Sequence, residues 1–228
     1  MGINIGAFLA PLVTGFLGSG KTTFINAALK APELRNAVVV VNEFGEVGLD
    51  HSLFAASSDA VVVLENGCLC CTVRGDLVAT LNGLYHDRAA GRIPSFDRII
   101  VETSGLAEPA PVLQAFLSEP TLDGLFRIAR VITLVDAVNW GATSGEHDEA
   151  IRQVALADRL LLTKLDLVAG DREAATARLH ADLRRLNPSA KFAAVDFSSA
   201  AVASLLTDSG FDAADPNADP RTWLTVGT

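Results

Sequence analysis

Gly15-Phe16-Leu17-Gly18-Ser19-Gly20-Lys21-Thr22 is the stretch on which the fold of this chain turns. It fits G-x-x-x-x-G-K-[ST] at every fixed position. An apolar run, Pro11–Thr14, precedes it, and Thr22–Leu29 follows with a helical pattern. Glycines in such a loop let backbone N–H groups converge on phosphate oxygens at a helix N-terminus, where the dipole favours negative charge. At ordinary glycine abundance a random chain of this length would match about one time in a hundred, and the flanking strand and helix lower that further. The stretch therefore reads as a nucleotide site. Gly15, Gly18, Ser19, Gly20 and Thr23 surround the phosphates, Lys21 reaches the β and γ phosphates, and the Thr22 hydroxyl ligates magnesium.

Working outward, short runs rich in Val, Ile and Leu alternate with amphipathic stretches. The pattern predicts strands over 11–14, 37–42, 60–64, 98–102, 130–136, 159–163 and 192–195. Apolar residues on both faces suit strands covered by helices on each side. Pro11 has no N–H to give to a ladder, so the first strand is expected to start there. Leu77, Leu81, Leu84 and Tyr85 follow the helical period, as do Leu179, Leu183 and Leu186, and Asn187-Pro188 ends the latter helix. The expected fold is an α/β phosphate-loop NTPase, a three-layer sandwich with a mostly parallel central sheet flanked by helices.

Two further segments bear on the nucleotide. Thr163-Lys164-Leu165-Asp166 closes an apolar strand and approaches the guanine-reading N-K-x-D. A carboxylate at Asp166 accepts from both N1–H and the 2-amino group of guanine, and adenine offers neither donor on that edge. The Lys164 stem packs over the purine. Thr163 stands where Asn is usual, which weakens the hydrogen bonds that brace the loop. Glu102-Thr103-Ser104-Gly105 puts a carboxylate at the end of another strand with a glycine three residues on. Glu102 suits a magnesium water shell, and the Gly105 amide suits the γ-phosphate. Asp136, ending a further strand, is read as a structural cap.

Cysteine occurs only at Cys68, Cys70 and Cys71. An odd, clustered count suits a reducing compartment and a metal or redox site, not a secreted disulfide framework. Cys68 and Cys70 share one face of an extended segment, and Cys71 joins them if the chain turns at Gly67. Thiolates favour zinc, copper(I) or similarly soft ions, and three sulfurs leave a tetrahedral ion one open position. The acidic stretch 43–50 follows the second strand, where nucleotide switches carry their first mobile loop. Its Glu43 and Glu46 are candidates for magnesium, the attacking water or the thiolate-bound metal. His51 adjoins that loop.

Composition sets the outer limits. Eighteen basic residues against twenty-seven acidic give a net charge of −9, which argues against nucleic acid as a partner because phosphate neutralisation needs a basic face. No apolar run is long enough for a membrane span, and the N-terminal run lacks the basic start of a signal peptide. A cytoplasmic protein is expected.

Together, G-F-L-G-S-G-K-T-T, V-N-E-F-G-E-V-G-L-D, E-N-G-C-L-C-C-T-V-R, E-T-S-G-L-A-E-P and T-K-L-D resemble the CobW-type GTPases, a family of metal chaperones related to the GTPases that insert nickel into urease and hydrogenase. The resemblance spans about residues 11–206. It implies a GTPase that binds zinc, cobalt or iron-group metals at its cysteines, zinc or cobalt foremost, and couples delivery to a client metalloprotein with slow GTP hydrolysis to GDP. It also implies that Glu102 replaces the usual Asp of the γ-phosphate motif. Family members usually carry a second, C-terminal domain. Here the expectation is a GTP-binding domain over 1–207 and a linker or tail over 208–228, with that second domain absent. A second copy of the chain is a candidate partner. The rival functions are a GTP-gated metal buffer or sensor without useful turnover, a small-molecule kinase sharing only the phosphate loop, and a nickel-insertion GTPase.

Overall fold

A computed structural model describes residues 7–42, 61–64, 72–194 and 197–208. Seven strands form one sheet: β1 (Phe8–Thr14), β2 (Ala37–Asn42), β3 (Val61–Leu64), β4 (Arg98–Thr103), β5 (Phe126–Asp136), β6 (Arg159–Thr163) and β7 (Lys191–Ala194). Their order is β3-β2-β4-β1-β5-β6-β7, and every described pairing is parallel. The helices are α1 (Lys21–Ala28), α2 (Thr72–Ala89), α3 (Ala110–Ser118), α4 (Trp140–Glu146), α5 (Asp148–Ala155), α6 (Arg172–Leu186) and α7 (Ser199–Thr207). Among the described residues, none is long and apolar enough to cross a membrane.

The strands are apolar on both faces because both are covered. Leu12, Val38, Val40, Ile99 and Val101 pack with Leu77 and Leu81 of α2 and with Val112 and Leu113 of α3. Their alternates Val13, Val39, Val41 and Ile100 pack with Phe24 and Ile25 of α1 and with Val202 and Leu206 of α7. A third cluster joins Leu160 and Leu162 of β6 to Val154 of α5 and Leu183 of α6. The three-layer arrangement follows from that alternation.

Strand β1 begins at Phe8, not at Pro11 as its missing N–H led us to expect. The pairing with β5 slips between Ala10 and Pro11, so that Ala10 faces Ile128 and Pro11 faces Arg130. The ladder to β4 runs through Leu12 and Val13. The irregularity absorbs the missing donor, a place where strands tolerate proline.

All strands run the same way, so Thr14, Thr103, Asp136 and Thr163 reach one edge of the sheet. Val13 lies in register with Glu102, and Asp136 with Thr163. At the opposite edge Asp208, just past α7, accepts from Arg130 Nη1 at 3.2 Å and Arg159 Nη2 at 2.8 Å. Residues 209–228 lie outside the described residues.

Candidate functional site

The loop after β1 is held by contacts that only glycine permits. Gly15 has φ 140°, and a Cβ there would stand 2.4 Å from the carbonyl oxygen of Leu134 on β5. Ser19 N–H donates to Phe16 O at 3.1 Å, and Phe24 N–H to Gly20 O at 2.9 Å opens α1. Gly18 and Gly20 also have positive φ. The Lys21 ammonium, on a residue only 8% exposed, donates to Gly15 O at 2.8 Å and Phe16 O at 3.3 Å. A buried cation is thus curled inside the loop at the N-terminus of α1, where the helix dipole adds positive potential. Thr22 is half-buried beside it and Thr23 is exposed.

Next to this loop, β4 delivers Glu102, buried at 5% exposure, and the turn Ser104–Ala107, closed by Ala107 N–H to Ser104 O at 3.1 Å. A Cβ on Gly105 would stand 2.6 Å from Leu17 N and 2.8 Å from Leu17 Cα. The two loops therefore touch backbone to backbone. Thr103 Oγ1 and Thr14 Oγ1 join the strand ends beneath them at 2.7 Å.

On the other flank, side chains rather than glycines set the geometry. The Thr163 hydroxyl lies 2.9 Å from Ser19 O and 3.2 Å from Val135 O. This shorter substitute for asparagine still braces the T-K-L-D turn against the phosphate loop. Lys164 is the only non-glycine among the described residues with positive φ, at 58°. Its ammonium meets Asp136 Oδ2 at 2.7 Å. Asp136 also accepts from the Val138 and Asn139 amides and from Asn139 Nδ2, so the cap expected there is present and gains a cation. Burial opposes ionisation of Asp136. The hydrogen bonds from Lys164, Asn139 and Val138 outweigh it and hold the carboxyl below its ordinary value of 3.8. Asp166 follows in a single 3₁₀ turn and is exposed.

Two residues near the site escaped the sequence reading. Phe197, ahead of α7, reaches 3.9 Å from a Cβ built on Gly20, and no pattern in the sequence marks it. Gln153 of α5 is fully buried. Its Nε2 donates to Gly105 O and Ala107 O, both at 3.0 Å. Here a signal did exist, because Gln153 interrupts the apolar stripe Ala150, Val154 and Ala157 at helical spacing. Four predicted site residues, Glu43, Cys68, Cys70 and Cys71, lie outside the described residues, as do Glu46 and His51.

The family described as CobW/HypB/UreG, nucleotide-binding domain, matches residues 9–194. The chain belongs to that family. It is 38% identical over 200 residues to the zinc chaperone YjiA of Escherichia coli (strain K12), covering 88% of this chain and 61% of YjiA. To the zinc chaperone CobW of a Sinorhizobium species it is 35% identical over 198 residues, covering 72% and 53%. The crystal structure of Zn(II)-bound YjiA GTPase from E. coli matches the fold with a TM-score of 0.63 at 30% identity, over 90% of this chain and 62% of that one. The chain therefore spans about half to three fifths of the length of these relatives. The fold is that of an α/β phosphate-loop NTPase, as expected from the sequence.

Proposed function

We propose that this chain is a metal-linked GTPase: it binds GTP at the sheet edge, hydrolyses it slowly to GDP and phosphate, and couples that cycle to loading a transition metal onto a client protein. The observation that carries the reading is the Thr163–Ser19 hydrogen bond at 2.9 Å, which joins the T-K-L-D turn to the phosphate loop across 144 residues of sequence. A base-reading carboxylate and a phosphate cradle then belong to one site. Relatives named zinc chaperones support zinc as the cargo, with cobalt as the other candidate.

In this reading Gly15, Gly18, Ser19, Gly20 and Thr23 surround the phosphates, and the Lys21 ammonium exchanges loop carbonyls for the β and γ oxygens. Thr22 and Glu102 offer the hard oxygen donors that would hold magnesium, whose positive charge would offset that of the phosphates. The Gly105 amide contacts the γ-phosphate. Water attacks the γ-phosphorus, the bond to the β–γ bridging oxygen breaks with its electron pair staying on GDP, and both water protons leave on the phosphate. Glu43, in the 43–50 loop, serves magnesium, the attacking water or the thiolate-bound metal. Cys68, Cys70 and Cys71 hold the soft cation. GTP binding and hydrolysis change the affinity of those cysteines for the cation. No glutamine or arginine of the sequence is assigned to the attacking water or the transition-state charge, so unassisted turnover is slow. The GTP-binding domain takes residues 1–207, with 208–228 as linker or tail. The protein works in the cytoplasm and takes no nucleic acid or membrane as partner.

The test is a zinc titration with and without a non-hydrolysable GTP analogue, paired with GTP-against-ATP competition. Linkage requires that if GTP tightens zinc, zinc tightens GTP by the same factor. Equal zinc affinities in the two arms would refute the coupling, and a triple Cys68/Cys70/Cys71→Ser variant that keeps its zinc would refute the assigned ligands. Multiple-turnover phosphate release separates an enzyme from a GTP-gated buffer.

A further inference from the structure

Helix α5 lies outside every nucleotide motif, yet it touches both phosphate-facing loops. Gln153 is completely buried on it, and one amide nitrogen donates to the carbonyls of Gly105 and Ala107, each at 3.0 Å. Two acceptors on one side settle which end of the carboxamide is nitrogen. Those carbonyls belong to the Ser104–Ala107 turn, whose opposite side is pressed against the Leu17 backbone at Gly105. The turn is therefore clamped between the phosphate loop and Gln153. The helix itself is anchored at the same residue, since the Thr133 hydroxyl of β5 donates to Gln153 O at 2.8 Å. At its N-terminal end, His147 stacks on Phe16 of the phosphate loop, with ring centroids 4.5 Å apart. At its exposed face Arg152 pairs with Glu108, next to the clamped turn.

We propose that Gln153 is a positioning residue for discrimination between GTP and GDP, acting by holding the Gly105 turn where its amide meets the γ-phosphate. The inference rests on the GTP-binding reading above. GDP has no group at that position, so the clamp contributes to the triphosphate complex and not to the diphosphate complex. Only an interaction that differs between two ligands can separate their affinities. A glutamine is required because the turn presents two acceptors. A glutamate would set negative charge against both carbonyls, and a methionine would leave both buried without a donor. Truncation is a poor probe: Ser19 and Gln153 border a cavity of about 20 Å³ under the loop, and removing the side chain would enlarge it.

The experiment measures affinity for a non-hydrolysable GTP analogue with magnesium, and for GDP, in the full chain and in Gln153→Glu and Gln153→Met. The expected result is analogue binding weakened about tenfold or more with GDP binding within about twofold, a split that a general loss of packing would not produce. Equal weakening of both nucleotides, or no change in either, overturns the proposal while leaving the GTPase reading intact. Wild-type protein that binds no guanine nucleotide brings down both. Should the variants fail to fold, amide hydrogen exchange on the wild-type chain decides. The analogue, and not GDP, should slow exchange jointly in 104–107 and 148–155, and an α5 indifferent to the analogue overturns the clamp.

Discussion

The two flanks of the nucleotide edge are built on different principles. On the β1/β4 flank the backbone does the positioning. Gly15 lies against Leu134 O, Gly105 lies against Leu17 N, and the cation Lys21 is wrapped by its own loop. On the β5/β6 flank three side chains do it: Thr163 reaches Ser19 O, Asp136 caps its own turn, and Lys164 is drawn into a left-handed conformation with its ammonium on Asp136. Under the proposed function the difference matches the two halves of a nucleotide. Phosphates are alike in every nucleotide and ask for many equivalent N–H donors, whereas a base is distinguished by donors and acceptors on one edge and asks for a directed carboxylate. Backbone-built sites fail by steric exclusion, and side-chain-built sites fail by losing a partner.

The largest effect is expected at the base. Asp166→Asn should reduce the preference for GTP over ATP by about 100-fold or more, read by competition binding, because the amide no longer accepts both guanine donors. Retained preference would move base reading elsewhere. On the phosphate flank, Gly105→Ala forces the turn off Leu17 and should weaken a GTP analogue about tenfold or more, with a smaller effect on GDP. Equal effects would mean that the turn does not sense the third phosphate. Asp136→Asn keeps part of the cap and removes the charge partner of Lys164. It should weaken GTP and GDP alike, by about three- to tenfold, because the base and not the γ-phosphate is affected.

The smallest effect is in pH. Burial acts against the ionised Asp136, but its hydrogen bonds leave the folded carboxyl depressed. Its stabilisation is then complete above the ordinary value of 3.8 and lost as pH falls through the lower folded value. Acid unfolding should therefore show the wild type more stable than Asp136→Asn at neutral pH, with the difference closing as pH falls from 3.8 to the lower folded value. Lys164 is about one third exposed, so the gap is expected to be about 1 kcal/mol or less. A difference constant across the acid range would remove Asp136 from the titrating set.

The strands were legible because each carries apolar residues on both faces, and the phosphate loop because its glycines sit at fixed spacing with a strand before and a helix after. Pro11 misled, since a sequence shows the missing donor but not the slip in register that accommodates it. Asp136 was legible as a cap, through contacts only two and three residues away. Its pairing with Lys164, 28 residues on, was not. Gln153 left a trace as a polar residue on an apolar stripe, yet its acceptors lie 46 and 48 residues distant.

Local order in the chain determined the alternation of strands and helices, the phosphate loop, the carboxylates at strand ends and membership in the CobW/HypB/UreG nucleotide-binding-domain family. These depend on spacing within about ten residues, the range over which backbone geometry fixes which side chains share a face. Tertiary structure alone decided that Gly105 must be small because Leu17 passes beside it, that Lys164 is turned toward Asp136, and that Gln153 grips the turn from beneath. Those relations join segments brought together by parallel pairing across the sheet, and their physical cause is close packing between backbones that the sequence holds far apart.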